Sequence, residues 1–139
     1  CIFNTDISSW NTSKATSFDS IFQDNTAFNQ DITSWNISNV TSLNEAFSGA
    51  NSFNQDISGW NTANVTTMSG TFGGSIFNAN IAGWNTAKVT DLSRAFAGAG
   101  SFNQPIGQWN TANVTTLSST LISVILFISP SDKTNAIYK

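Results

Sequence analysis

The chain has 139 residues, of which 9 % are charged and 40 % are hydrophobic; five Lys and Arg against eight Asp and Glu leave a net charge of -3. No basic run could neutralise a phosphate backbone, which argues against a nucleic-acid partner. With no His and a single Cys, zinc sites, Cys/His dyads, Ser-His-Asp triads and an internal disulfide cannot be assembled, and no cofactor is expected.

The chain opens on Cys1 with no basic segment leading into an apolar one, so no signal peptide is visible. Cys1 reads either as the acylated first residue of a lipoprotein or as part of the frame that follows, because Cys1-Ile2-Phe3 matches Asn51-Ser52-Phe53. Trp then recurs at 10, 35, 60, 84 and 109, and every other apolar anchor keeps that phase. Counted from its opening Phe, the unit has Phe3, Phe28, Phe53, Phe77 and Phe102 at position 1, and Ile7, Ile32, Ile57, Ile81 and Ile106 at position 5. Position 8 is Trp10, Trp35, Trp60, Trp84 and Trp109. Position 13 is Ala15, Val40, Val65, Val89 and Val114; position 16 is Phe18, Leu43, Met68, Leu92 and Leu117; position 20 is Phe22, Phe47, Phe72, Phe96 and Leu121.

A unit of 25 residues with six apolar anchors cannot bury them alone, whereas units stacked in register form one continuous core. The expected fold is an α/β repeat solenoid, leucine-rich-repeat-like, of about five coils. It occupies residues 1–127, and 128–139 form an irregular tail or cap. Within each coil, positions 6 to 10 lack helix formers and predict a short parallel strand. Positions 13, 16 and 20 have helical spacing, and Gly49, Gly73 and Gly98 follow as stops, which predicts a short helix.

Polar columns run beside the apolar ones. Asn4, Asn29, Asn54, Asn78 and Asn103 fill position 2; Asn11, Asn36, Asn61, Asn85 and Asn110 fill position 9; Thr16, Thr41, Thr66, Thr90 and Thr115 fill position 14. Amides and hydroxyls both donate and accept, so such columns suit side-chain ladders that satisfy backbone at the corners of a coil. The position 9 column is equally a candidate binding face, with Ser9, Ser34, Gly59, Gly83 and Gln108 at position 7 beside it.

The phrase "FNQDISGWNTANVTTMSGTF" resembles the bacterial surface protein 26-residue repeat, a lipoprotein-associated family of BspA-like leucine-rich repeats, over about residues 3 to 122. The resemblance rests on Phe-Asn-x-Asp-Ile-x-x-Trp, Val-Thr-x-Met/Leu and Phe-x-Gly-Ala. It implies a leucine-rich-repeat solenoid on secreted or surface-anchored proteins implicated in adhesion. The chain departs from that pattern in its 25-residue period, in Thr at position 10, in a deletion near Gly74-Ser75-Ile76, and in Asn80 and Pro105 where the motif has Asp.

Asp6, Asp31 and Asp56 raise a calcium row at position 4, but Asn80 and Pro105 break it, and a calcium site needs several oxygens in one tight loop. Asn-x-Ser/Thr sequons stand at Asn11, Asn36, Asn39, Asn64 and Asn113 and mark possible glycosylation. The frame fails after Leu117, and the apolar run Leu121–Phe127 is far shorter than the roughly 20 residues a membrane helix needs, so no transmembrane segment is expected. No nucleophile and base are singled out, so the chain is expected to be no enzyme.

The expected function is a non-enzymatic extracellular or cell-surface protein, an adhesion scaffold whose polar Asn/Ser/Thr face meets a protein or glycan surface with avidity from the repeats. The alternatives are a filament or coat subunit that self-associates end to end, and an ice-binding protein using the Thr columns at positions 10 and 14.

Overall fold

The computed structural model describes residues 2–119. The repeating units lie one on another as rungs, joined by single parallel bridges at position 15: Ser17 to Ser42, Ser42 to Thr67, Thr67 to Asp91 and Asp91 to Thr116. Expected tail residues 128–139 lie outside the described residues.

The expected α/β leucine-rich-repeat-like solenoid does not form. Among the described residues there is no helix, and β pairing is confined to those isolated bridges, so the coils carry neither the predicted helix nor the predicted strand. The backbone chemistry of the second rung shows why. Position 18 (Glu45) has φ 53 and position 22 (Gly49) has φ 66, and the same two positions are left-handed in the other rungs at Ser20, Asp24, Gly70, Gly74, Arg94 and Gly98. A left-handed residue every fourth position cannot propagate a right-handed helix.

The chain instead makes overlapping turns. The N–H groups of Ala46, Ser48 and Ala50 donate to the carbonyls of Leu43, Glu45 and Phe47, three residues back, all at 3.1 Å. The alternate N–H groups, of Leu43, Glu45, Phe47 and Gly49, leave the rung and donate to Thr67, Ser69, Thr71 and Gly73 of the next one at 2.7–3.1 Å. Three of the eight amides from Leu43 to Ala50 therefore hold the rung and four hold the next one, and the Asn44 N–H donates to Asp19 Oδ1 of the rung before, so all are satisfied.

Positions 6 to 10, the predicted strand, contain the edge of one turn and the start of another. In the third rung the Trp60 N–H donates to the Ile57 carbonyl at 3.2 Å and the Val65 N–H to the Thr62 carbonyl at 2.9 Å. Inside the rungs, position 1 forms an aromatic column, with Phe3, Phe28, Phe53, Phe77 and Phe102 ring centroids 5.9–6.4 Å apart. Position 20 forms a second, from Phe22 through Phe47 and Phe72 to Phe96, at 5.5–5.7 Å. The two columns interlock because each position 20 ring packs on the next unit's position 1 ring, stacked for Phe22, Phe47 and Phe72, as Phe47 on Phe53 at 4.3 Å, and tilted for Phe96 on Phe102 at 4.2 Å.

Candidate functional site

The predicted site residues divide into an interior set and a surface set. Ile7, Ile32, Ile57, Ile81 and Ile106 are buried, as are Phe28, Phe53, Phe77 and Phe102 and the indoles of Trp35, Trp60, Trp84 and Trp109. Each buried indole also spans two rungs: the Nε1–H of Trp35, Trp60, Trp84 and Trp109 donates to the carbonyl of Ile7, Ile32, Ile57 and Ile81 at 3.0–3.1 Å. Trp10, on the first rung, is 57 % exposed.

The position 9 column occupies the surface, yet its carbonyl ends are committed locally. Asn11, Asn36, Asn61, Asn85 and Asn110 each accept through Oδ1 the N–H two residues on, from Ser13, Ser38, Ala63, Ala87 and Ala112, at 3.0–3.2 Å. These Asx turns start the turn that ends on the position 13 side chain. Position 4 performs the same task one module earlier, where Asp6, Asp31, Asp56 and Asn80 accept the N–H of Ser8, Thr33, Ser58 and Ala82 at 2.9–3.0 Å. A column that Asn can enter without loss is a turn column. No group of three His, Cys, Asp or Glu among the described residues is placed to hold a metal ion.

These contacts lower the carboxyl pKa values. For Asp6 the Ser8 N–H is the larger cause and its hydroxyl the smaller; for Asp31 the Thr33 hydroxyl leads and its N–H follows, and for Asp56 the Ser58 hydroxyl leads and its N–H follows.

Other columns tie rung to rung. At position 2 the N–H of Asn29, Asn54, Asn78 and Asn103 donates to Oδ1 of the Asn one rung before, at 2.8–3.0 Å. At position 14 the hydroxyls of Thr41, Thr66, Thr90 and Thr115 donate to the preceding Thr carbonyl at 3.1–3.3 Å. Position 10 lies deeper, since Thr62, Thr86 and Thr111 are buried, and Ile37 replaces Thr there as an apolar equivalent.

Sequence reasoning missed the role of position 12. The Nδ2 groups of Asn39, Asn64 and Asn113 donate to the position 11 carbonyls of the previous rung, Ser13, Ser38 and Ala87, at 2.7–2.8 Å. Three of the five sequons thus place their acceptor nitrogen in the ladder, while Asn11 and Asn36 are held through Oδ1. The signal was visible as Asn recurring at that position, with Lys14 and Lys88 as the exceptions.

The surface formed by the described residues includes two concavities. One is an open groove of about 320 Å³ floored by Gly49, Gly70, Gly73 and Gly74, with Glu45 facing Arg94 across it at 3.9 Å. The other, about 270 Å³, lies on the upstream face of the first rung among Phe3, Ile7, Trp10, Ile21 and Phe22. Among the described residues no helix is long and apolar enough to cross a membrane.

Residues 1–76 and 58–136 both match the family described as Mycoplasma protein of unknown function, DUF285. The chain belongs to this family. The match corrects the resemblance to the BspA-like leucine-rich repeats, and the helix-free rungs agree with the correction, because the helix and strand of a leucine-rich repeat are missing from each described unit. No curated protein and no solved structure matches the chain.

Proposed function

We propose that this DUF285 chain is a non-enzymatic, cell-surface or secreted binding scaffold that presents a periodic polar flank to an extracellular protein or glycan. The observation that carries the reading is the unbroken exposed column Thr16, Thr41, Thr66, Thr90 and Thr115, beside the exposed Lys14, Asn39, Asn64, Lys88 and Asn113. Their hydrogen bonds to neighbouring rungs fix these side chains before any partner arrives, so binding costs little side-chain entropy. The flank has few charges, so contacts are weak singly and add through repetition.

The position 9 column, exposed as well and with its carbonyl oxygens serving the Asx turns, is the alternative face. An ice-binding role is weakened by the same geometry, because the Thr of position 10 is buried in the third to fifth rungs and only position 14 faces outward as a continuous column.

A panel of matrix proteins and glycans immobilised on a sensor tests the reading. The chain should bind one of them with little change in high salt, and Thr66→Lys with Thr90→Lys should abolish binding while leaving the unfolding midpoint within a few degrees. Binding that survives the double variant unchanged would move the site off this flank.

A further inference from the structure

The exposed flank is a track with two rails. Positions 12 and 14 are exposed on either side of position 13, which is buried in Val40, Val65 and Val89, so the Asn/Lys column and the Thr column run side by side across the rungs. The hydrogen bonds inside each column decide which atoms are left for a partner. The hydroxyls of Thr41, Thr66, Thr90 and Thr115 each commit their one proton to the preceding Thr carbonyl at 3.1–3.3 Å, so what remains on that rail is a row of acceptor lone pairs. Asn39, Asn64 and Asn113 each commit one of two Nδ2 protons to the rung before, at 2.7–2.8 Å, which leaves the second proton beside the Oδ1 acceptor. Lys88 Nζ lies back along the same rail, donating to Asn64 Oδ1 at 2.8 Å.

Three properties of this track select among partners. No Asp or Glu occurs between positions 7 and 14 of any unit, and the cations there are Lys14 and Lys88, so charge contributes little. Neither rail carries a Trp, Tyr or Arg, the residues through which one protein surface anchors another. The remaining donors and acceptors recur once per rung, at about the 4.8 Å separation of bridged backbones, so a ligand that itself repeats can use every rung alike. Carboxylate, sulfate and phosphate oxygens only accept and are repelled by the Thr lone pairs, whereas hydroxyls donate and accept and match both rails.

We propose that the track binds an extended, uncharged β-1,4-linked glycan lying across the rungs, with about one sugar to a rung. This assignment rests on the binding-scaffold reading above and narrows its partner from a protein or glycan to a neutral polysaccharide. Each sugar of an extended β-1,4 chain advances by close to one strand spacing, and hydroxyls line both edges of its flat ribbon. The Thr rail accepts from hydroxyls along one edge, and the Asn rail donates and accepts along the other. Each further sugar then meets the same pair of side chains one rung on, so weak contacts accumulate with chain length.

Titration calorimetry of the 139-residue chain tests the proposal, with cello-, xylo- and chito-oligosaccharides of increasing length as probes and malto-oligosaccharides and heparin as controls. Affinity is expected to rise stepwise with length in at least one β-1,4 series, with the helical malto-series and the sulfated glycan about tenfold weaker or worse. Thr66→Val with Thr90→Val removes two outward oxygens while keeping the branched shape, and is expected to weaken the longest oligosaccharide about tenfold with cooperative unfolding intact; Thr66→Val alone serves if the double variant does not fold. Affinity independent of length, tighter binding of heparin, or an unchanged affinity in the folded variant would each overturn it. Binding to a protein of the sensor panel but to no glycan would overturn this assignment and leave the scaffold reading standing, whereas binding to neither would end both.

Discussion

At the scale of single residues, two glycines separate what the backbone demands from what it tolerates. Gly49 has φ +66, and a Cβ there would meet Asp24 Oδ1 at 2.4 Å. The carboxylate can swing aside but the left-handed backbone cannot, so Gly49→Ala should cost about 1 to 2 kcal/mol in urea unfolding. Gly59 has open space around a would-be Cβ, and Gly59→Ala should change stability by less than about 0.5 kcal/mol. The Asp column makes a pH prediction. Asp6, Asp31 and Asp56 have pKa values lowered in the fold by N–H and hydroxyl donors, so their contribution is present above the unfolded carboxyl pKa of about 4 and is lost as pH falls through the lower folded values. Asn80 already fills the same turn without a charge, so Asp31→Asn with Asp56→Asn should flatten the acid limb of a thermal-midpoint profile. An unchanged acid limb would show that these turns do not couple to protonation.

At the scale of the rung, side chains and backbone give different signals. In the second rung Leu43, Ala46, Phe47 and Ala50 are all buried, which is the i, i+3, i+4, i+7 pattern of an amphipathic helix. Overlapping three-residue turns present the same residues inward, so the apolar spacing alone cannot tell the two backbones apart. Gly49 and Gly98 at position 22 were legible as left-handed stops, but in the third rung the left-handed residue is Gly74 rather than the expected Gly73, and position 18 was not legible, because Ser20, Glu45 and Arg94 take positive φ there without any glycine signal. The expected strand failed for a related reason: Asp and Asn at positions 4 and 9 look like column residues in sequence and act as turn initiators in the fold. The apolar columns and their period needed no backbone geometry to be read. Trp60→Ala should cost about 3 to 5 kcal/mol, since it removes a buried indole and its bond to the Ile32 carbonyl. Asn29→Ala should cost roughly 1 kcal/mol more than Asn54→Ala, because Asn29 Oδ1 accepts from both the Asn54 N–H and the Gln55 side chain, whereas Ala79 leaves Asn54 with the Asn78 N–H alone. Equal losses in chemical denaturation would contradict the ladder.

At the scale of the whole molecule, stability is a sum of contacts between neighbouring rungs, and the backbone N–H groups that make them donate to the following rung at positions 16, 18, 20 and 22 and to the preceding one at position 14. The candidate flank was only partly legible: the Thr column could be counted along the chain, but which polar columns face outward and which are consumed by turns depends on backbone geometry that the period does not encode. The most direct test of the account is detection of scalar couplings across hydrogen bonds by NMR. The account predicts a coupling from the Phe47 N–H to the Thr71 carbonyl carbon and from the Gly49 N–H to that of Gly73, each a full rung away in sequence. A coupling from the Phe47 N–H to the Leu43 carbonyl carbon, four residues back as in an α-helix, would contradict it.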